Sequence, residues 1–375
     1  MTKILHLADL HLDSPFRDDP ITEAEKRRAD LRNVFLNALK YASENGVEIV
    51  LISGDLFDGE FYSKATLDFL AESFAETPSC HFIIAPGNHD AYKYASPYKK
   101  CNFTANVTVF TTETMQAVNL EHLGVTVYGY AFTDSSHTAS PLEGFKVNNG
   151  DGFHVLCAHA DTESSRSPYA PIKEAELADS GLDYAALGHI HTKPEIQRVG
   201  NTLYAYSGCI AGRDFSEYGE KGGILVTLDN AGGVKTVNAE RIAFCPWVYD
   251  VLNVDLSGAA DQKEMLKRIK AVVNDKKNGS DKEYIFKLEL VGNVDKKFDA
   301  SAAAAELKKL GIRKTDDKTT ASYNYLGLDT DFTIRGEFYR QLKPLLSSDD
   351  PEKRKVAELA LTYGLAAMDG NTPVS

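Results

Sequence analysis

"VEIVLISGDLFD", residues 47–58, is a short and almost wholly apolar run that stops abruptly in a glycine and two carboxylates. A strand open to water on one side alternates apolar and polar residues, so a continuous run of this length reads as a strand covered on both faces. A helical pattern over Glu23–Asn45, closed by Gly46, precedes it, and another over Ser63–Glu76, closed by Pro78, follows it. Further β-rich runs lie at Ile4–Ala8, His81–Ala85, Val125–Tyr130, His154–Ala158, Tyr184–Leu187, Leu203–Ser207 and Ile224–Leu228. Strands alternating with helices first, and bare strands later, predict an α/β sandwich of two mixed β-sheets flanked by helices.

The chain of 375 residues exceeds the usual size of one hydrophobic core, so a large domain with a smaller companion is expected. The pattern changes after Arg241. Trp247–Leu256 reads as a strand, Asp261–Asn274 as a helix, Glu283–Val291 as an alternating strand and Ala300–Leu310 as a helix, while 315–334 is polar and loop-like. Pro351–Met368 reads as a terminal helix with an apolar stripe of Val356, Leu359, Ala360, Tyr363, Ala366 and Ala367. The expected division is a large domain at 1–244, a small α+β domain at 245–335 and a helical segment at 336–375.

The net charge of −13 is unevenly placed. Residues 245–375 carry 21 Lys and Arg against 21 Asp and Glu, so the whole excess lies in 1–244, at 20 against 33. That balance argues mildly against a nucleic-acid partner, since phosphate contacts rely on Lys and Arg, but bound cations would offset it locally. The five cysteines are scattered and form no C-x-x-C, which suits a reducing compartment and predicts a cytoplasmic protein. No apolar run approaches the 18 or so residues of a membrane span.

Five polar clusters follow strands at their C-terminal ends: Asp9-Leu10-His11, Gly54-Asp55-Leu56-Phe57-Asp58, Gly87-Asn88-His89-Asp90, His159, and Gly188-His189-Ile190-His191. Ligands of open α/β sheets gather where strand ends meet loops, so clusters remote in sequence can converge in space. Asp, His and Asn without a thiolate form a hard-to-borderline donor set, suited to Mn, Fe or Zn rather than to a cysteine-bound structural zinc.

The ordered series D-x-H, G-D-x-x-D, G-N-H-[DE], H, G-H-x-H resembles the signature of the calcineurin-like metallophosphoesterases, and all five blocks are present over residues 9–191. The extended stretches "HLADLHLDSPF", "GDLFDGE" and "APGNHD" resemble the DNA repair exonuclease branch of that family, the SbcD-like and especially the YhaO-like proteins. The resemblance implies a four-layer α/β/β/α sandwich holding two divalent metal ions, Mn before Fe or Zn. Asp9, His11, Asp55 and His191 would hold the first ion, and Asp55, Asn88, His159 and His189 the second, with Asp55 bridging. Positions two apart share a face of an extended strand, so His189 and His191 could each serve one ion of a pair about 3.5–4 Å apart.

Two cations would neutralise the phosphate oxygens and lower the pKa of a bridging water, so that a nucleophile exists near neutral pH. His89 is expected to donate a proton or hydrogen bond to the leaving oxygen, with Asp90 orienting its ring and keeping it protonated. Asp58 is expected to orient His11 from behind. The implied activity is a Mn-dependent DNA exonuclease or endonuclease of DNA repair, its small domain capping the cleft. The implied partners are DNA, a coiled-coil ATPase and a second copy of the chain, with no membrane. The chain has no G-x-x-x-x-G-K-[ST] of its own. Two rival readings are a phosphoesterase of a nucleotide, sugar phosphate or phosphoprotein, and a non-catalytic metal-binding subunit regulating an ATPase.

Blander readings apply elsewhere. His6 and His154 sit within strands and read as packed histidines, while His81, His122 and His137 read as surface or loop residues. Arg213 and Lys221 of "GRDFSEYGEKGG" either meet a substrate phosphate or belong to a solvated loop, and Phe61-Tyr62 is either an edge for stacking bases or a packing contact.

Overall fold

A computed structural model describes residues 1–16, 20–59, 62–147, 151–192, 194–294, 296–321 and 327–368. Two compact units make up the chain, Met1–Tyr249 and Asp250–Ser375.

The first unit is built on two six-stranded mixed sheets. One runs, edge to edge, Val234–Ala243, Gly222–Ala231, Thr2–Leu7, Ile49–Ile52, His81–Ile84 and Val107–Val109. The other runs Gln116–Leu120, Val125–Gly129, Phe153–His159, Tyr184–Gly188, Thr202–Tyr206 and Gln197–Val199. The middle strands of each sheet are parallel, so several strand ends that lead into motif loops share one rim.

Period-two alternation sorts the side chains into layers. Ile4, Ile49, Leu51 and Ile83 face Val127, Val155, Cys157 and Ala186 across the gap between the sheets. Their neighbours Leu5, Leu7, Val50 and Ile52 face the other way, onto Leu31, Phe35 and Ala38 of the helix Ile21–Glu44 and Leu70 and Phe74 of the helix Lys64–Ala75. The outer face of the second sheet is covered by the short helix Glu174–Asp179 and by loop residues Leu142, Ala170 and Ile172. The run 49–52 is apolar throughout because it is covered twice. Ser63 caps its helix by accepting a hydrogen bond from the Thr66 amide at 3.1 Å.

The first unit extends to Tyr249. Phe244 and Cys245 pack in its core, and Trp247 Nε1 donates to the Gly212 carbonyl at 2.9 Å. The strand Trp247–Asp255 begins in the first unit and joins Glu283–Val291 and Ile312–Asp317 of the second in a three-stranded sheet, which packs Leu252, Phe286 and Leu288 against Met265, Ile269 and Val273 of the helix Gln262–Lys277. The strand Ile312–Asp317 enters a region whose sequence reads as loop. It lacks an apolar pattern because charge pairs support it: Lys287 meets Asp316 at 2.7 Å, and Lys318, just past its end, meets Glu289 at 2.6 Å.

A helix at Ile334–Leu346 precedes Pro351–Met368. Their shared core uses Leu361 and Leu365 with Phe338, and Ala357 is buried on the same face. The expected stripe is displaced in part: Val356, Leu359 and Tyr363 are exposed at 64%, 44% and 45%, while Ala366 is buried. Gly364 explains the choice of face, since a Cβ there would lie 2.3 Å from the Phe338 ring.

Candidate metal centre

The motif clusters converge at the strand-end rim of the first unit. Among the described residues, seven non-glycine positions have positive φ, and four of them are Asp9 (51°), His11 (45°), Asp55 (50°) and His189 (104°). Left-handed backbone is costly for such residues, and its concentration here turns side chains of different strands into one pocket. The loops are tied by Asp9 N to Gly54 O at 3.1 Å and His11 N to Asp55 O at 2.9 Å. Glycine is required beside them: a Cβ on Gly87 would lie 2.2 Å from Asp55 Oδ1, and one on Gly54 2.2 Å from His159 Nδ1.

Asp9, His11, Asp55 and His191 each offer a ligand atom, all within 4.8 Å of one another. His11 Nε2 lies 3.1 Å from His191 Nε2 and 3.7 Å from Asp55 Oδ2, and Asp9 Oδ1 lies 3.9 Å from His191 Nε2. The other nitrogens of both rings are engaged, His11 Nδ1 on Asp58 Oδ1 at 3.0 Å and His191 Nδ1 on Glu217 Oε1 at 2.8 Å. With each Nδ1–H given to a carboxylate, two Nε2 lone pairs face one another beside two buried carboxylates. A positive charge, proton or metal ion, must lie among them. The donor set therefore fits a divalent cation.

Asp55, Asn88 and His159 form the adjoining group. His159 Nε2 is 2.9 Å from Asn88 Oδ1 and 3.4 Å from Asp55 Oδ2, while its Nδ1 is 3.0 Å from the Ser53 carbonyl. His189 joins by ring contact, 5.2 Å from His159 and 4.7 Å from Tyr169 between centroids. The strand ends at Gly188, and the positive φ of His189 breaks the extended path. The two histidines are thus separated by a turn, not placed on one strand face. His191 goes to Asp9 and His11, and His189 to His159.

Burial dominates the electrostatics. It raises Asp55 well above the usual carboxylate range, with the Asp90 and Asp9 charges adding to it, and lifts Asp9 to about 6 against the pull of His191. It pushes His11 down to about 3 and His159 well down. Burial would also raise Asp58 and lower His191. The His11 hydrogen bond and nearby cationic groups hold Asp58 down at about 2, however, and the Glu217 bond with the Asp9 charge carries His191 upward.

Two expected roles change. Asp90 does not orient His89: its carboxylate accepts from Gly87 N at 2.7 Å, Phe57 N at 3.1 Å and Tyr98 Oη at 2.5 Å, which fixes the turn instead. Asp58 Oδ1, 3.6 Å from His89 Nδ1, is the carboxylate beside that ring, and the half-exposed His89 is lowered by burial against the upward pull of the Asp58 and Asp90 charges. Arg213 and Lys221 do not belong to a solvated loop, since both are engaged within the protein. Arg213 binds Glu217, and the buried Lys221 Nζ donates to the His191 carbonyl at 2.8 Å. Glu217 escaped notice because it lies in a charged loop between those two cations. Tyr62 packs on Phe57 and donates to the Ala95 carbonyl at 3.1 Å, and Phe61 lies outside the described residues.

Two facing mixed sheets thus carry an Asp/His/Asn pocket at their strand ends, a donor set that suits divalent cations. The family pattern described as calcineurin-like phosphoesterase matches residues 2–193, just over half of the chain, and the chain belongs to that family. It is 28% identical over 240 residues to the uncharacterized metallophosphoesterase YhaO of Bacillus subtilis, covering 60% of this chain and 57% of the relative. It is 26% identical over 221 residues to the DNA double-strand break repair protein Mre11 of Saccharolobus solfataricus, covering 56% and 54%. The chain thus spans little more than half the length of either. Among solved structures, the purple acid phosphatase PPD1 of yellow lupin seeds is similar at a TM-score of 0.40 and 12% identity, over 60% of this chain and 49% of that one. Among the described residues, no helix is long and apolar enough to cross a membrane.

Proposed function

We propose that this phosphoesterase is a manganese-dependent phosphodiesterase that cleaves DNA, as an exonuclease or endonuclease of repair. The observation that carries the reading is the pocket built around Asp55, with His11, His159 and the His89 amide at its two carboxylate oxygens and the half-exposed His89 ring at its edge. Asp9, His11, Asp55 and His191 would hold one cation, and Asp55, Asn88, His159 and His189 the other. Bound there, such cations supply a water activated near neutral pH and neutralise phosphate oxygens. His89 would give a proton or hydrogen bond to the leaving oxygen, with Asp58 beside its ring.

DNA as substrate is supported by the family branch of the motif stretches and by the similarity to the Saccharolobus DNA double-strand break repair protein. The stretch 92–100 that follows the His89 turn adds Lys93, Lys99 and Lys100 without an acid, and Tyr94 there is 97% exposed. The second unit would grip nucleic acid, its terminal helix would dock a coiled-coil ATPase, and two copies of the chain would work together in the cytoplasm. The acidic excess of residues 1–244 favours a second reading, hydrolysis of a small phosphate ester.

Labelled single- and double-stranded DNA, incubated with the protein and Mn²⁺ beside an aryl phosphodiester, separates the two. The proposal expects DNA to be degraded, and His89→Ala to slow that degradation by about 10²–10⁴-fold while metal content persists. Cleavage of the aryl ester alone would leave the small-substrate reading standing.

A further inference from the structure

Residues 212–221 lie beyond the stretch that matches the family pattern, yet they brace two of the pocket's imidazoles. Glu217, 3% exposed, has Oε1 2.8 Å from His191 Nδ1. Its Oε2 accepts the Arg213 amide at 2.8 Å, and the Arg213 Nε lies 3.2 Å from both oxygens. The same guanidinium reaches the other ligand loop. Nη1 donates to Ser14 Oγ at 3.1 Å, and Ser14 Oγ donates to the His11 carbonyl at 2.8 Å. Nη1 also lies 3.7 Å from Asp58 Oδ1, the carboxylate that holds His11. Lys221 Nζ anchors the His191 carbonyl.

We infer that Glu217, fixed by Arg213, is a positioning residue of the metal centre: it keeps the proton of His191 on Nδ1, so that Nε2 presents its lone pair to a divalent cation beside His11. The inference rests on the two-ion reading of the pocket. A neutral imidazole has two tautomers close in energy, and a carboxylate on Nδ1 selects one, orients the ring and raises its basicity as a ligand. Burying a lone glutamate is costly, and the bidentate contact with Arg213 offsets that cost while removing the freedom of the carboxylate to turn away. The loop thereby sets the affinity of the ion held by His191 and leaves the ion beside Asn88 and His159 unaffected.

The test is calorimetric titration of the metal-free 375-residue chain with Mn²⁺, comparing wild type with Glu217→Ala and Glu217→Gln. Loss of a partner of this kind weakens metal binding by about 10–100-fold. Glu217→Ala should lower the affinity of one ion by that factor and leave the other unchanged, and Glu217→Gln, which retains an acceptor oxygen, should lose less. Imidazole ¹⁵N spectra of the Zn²⁺-loaded wild type give a second readout: His191 should carry its proton on Nδ1 and the metal on Nε2. That spectrum, with the isosteric Gln variant, decides the matter should the Ala variant fail to fold. Unchanged affinities in a folded Glu217→Ala protein, or metal on Nδ1 of His191, would overturn this inference alone. A wild type that binds no Mn²⁺ would overturn it together with the two-ion pocket.

Discussion

His6 and His11 lie on one segment, both are buried, and burial drives both imidazoles down to about 3. Their surroundings nevertheless differ in kind. Between the sheets, His6 places Nδ1 2.9 Å from Tyr184 Oη and Nε2 3.1 Å from the Leu187 carbonyl. A hydroxyl that can donate and a carbonyl that accepts satisfy a neutral ring completely. At the rim, His11 has a carboxylate on one nitrogen and the lone pair of another histidine 3.1 Å from the other. Burial therefore does not separate a structural histidine from a candidate metal ligand. The atom facing its second nitrogen does.

The strongest way to break this contrast is Asp55→Ala, because Asp55 approaches His11 at 3.7 Å and His159 at 3.4 Å and also accepts the His89 amide at 3.0 Å. Hydrolysis of an aryl phosphodiester should fall to background and metal content should drop, measured by initial rates and elemental analysis. A variant keeping wild-type turnover would remove Asp55 from the shared position. Asp58→Ala acts one step further out. It frees His11 Nδ1 and should weaken Mn²⁺ binding by about 10–100-fold, read by titration, with the apo fold retained.

The smallest effect sharpens the contrast from the other side. The folded pKa of His6, about 3, lies below its ordinary 6.5, so the folded state binds fewer protons there. That contribution to stability is complete above 6.5 and is lost as pH falls from 6.5 toward 3. Down to pH 5.5 the loss amounts to about 1 kcal/mol. Urea unfolding of metal-free protein at pH 7.5 and 5.5 should show His6→Gln losing less than wild type by about that amount. Equal losses would mean that His6 titrates alike in both states.

Much of the pocket was legible in the chain. Each donor type follows a strand, and a strand's end is marked where an apolar run stops in glycine and carboxylate, as at Ile49–Asp55. Outer contacts were less so. Asp90 looks from sequence like the natural partner of His89 because it is adjacent, but adjacent side chains in a tight turn diverge, and its oxygens close the turn on Gly87, Phe57 and Tyr98. Asp58 takes the place beside the ring from a different strand loop. The strand Ile312–Asp317 was hidden for a related reason, since charge pairs with its neighbour replace an apolar pattern.

The sequence by itself determined the sheet-forming runs, the helices between them and the kinds of donor at their ends, because burial imposes periodicity and cation chemistry restricts donor types. Tertiary structure alone decided which nitrogen of each histidine remains open, which face of the terminal helix is covered, and that Glu217 and Arg213 serve His191. Those outcomes depend on distances between atoms of segments far apart along the chain, and on left-handed backbone at Asp9, His11, Asp55 and His189 that local propensity disfavours.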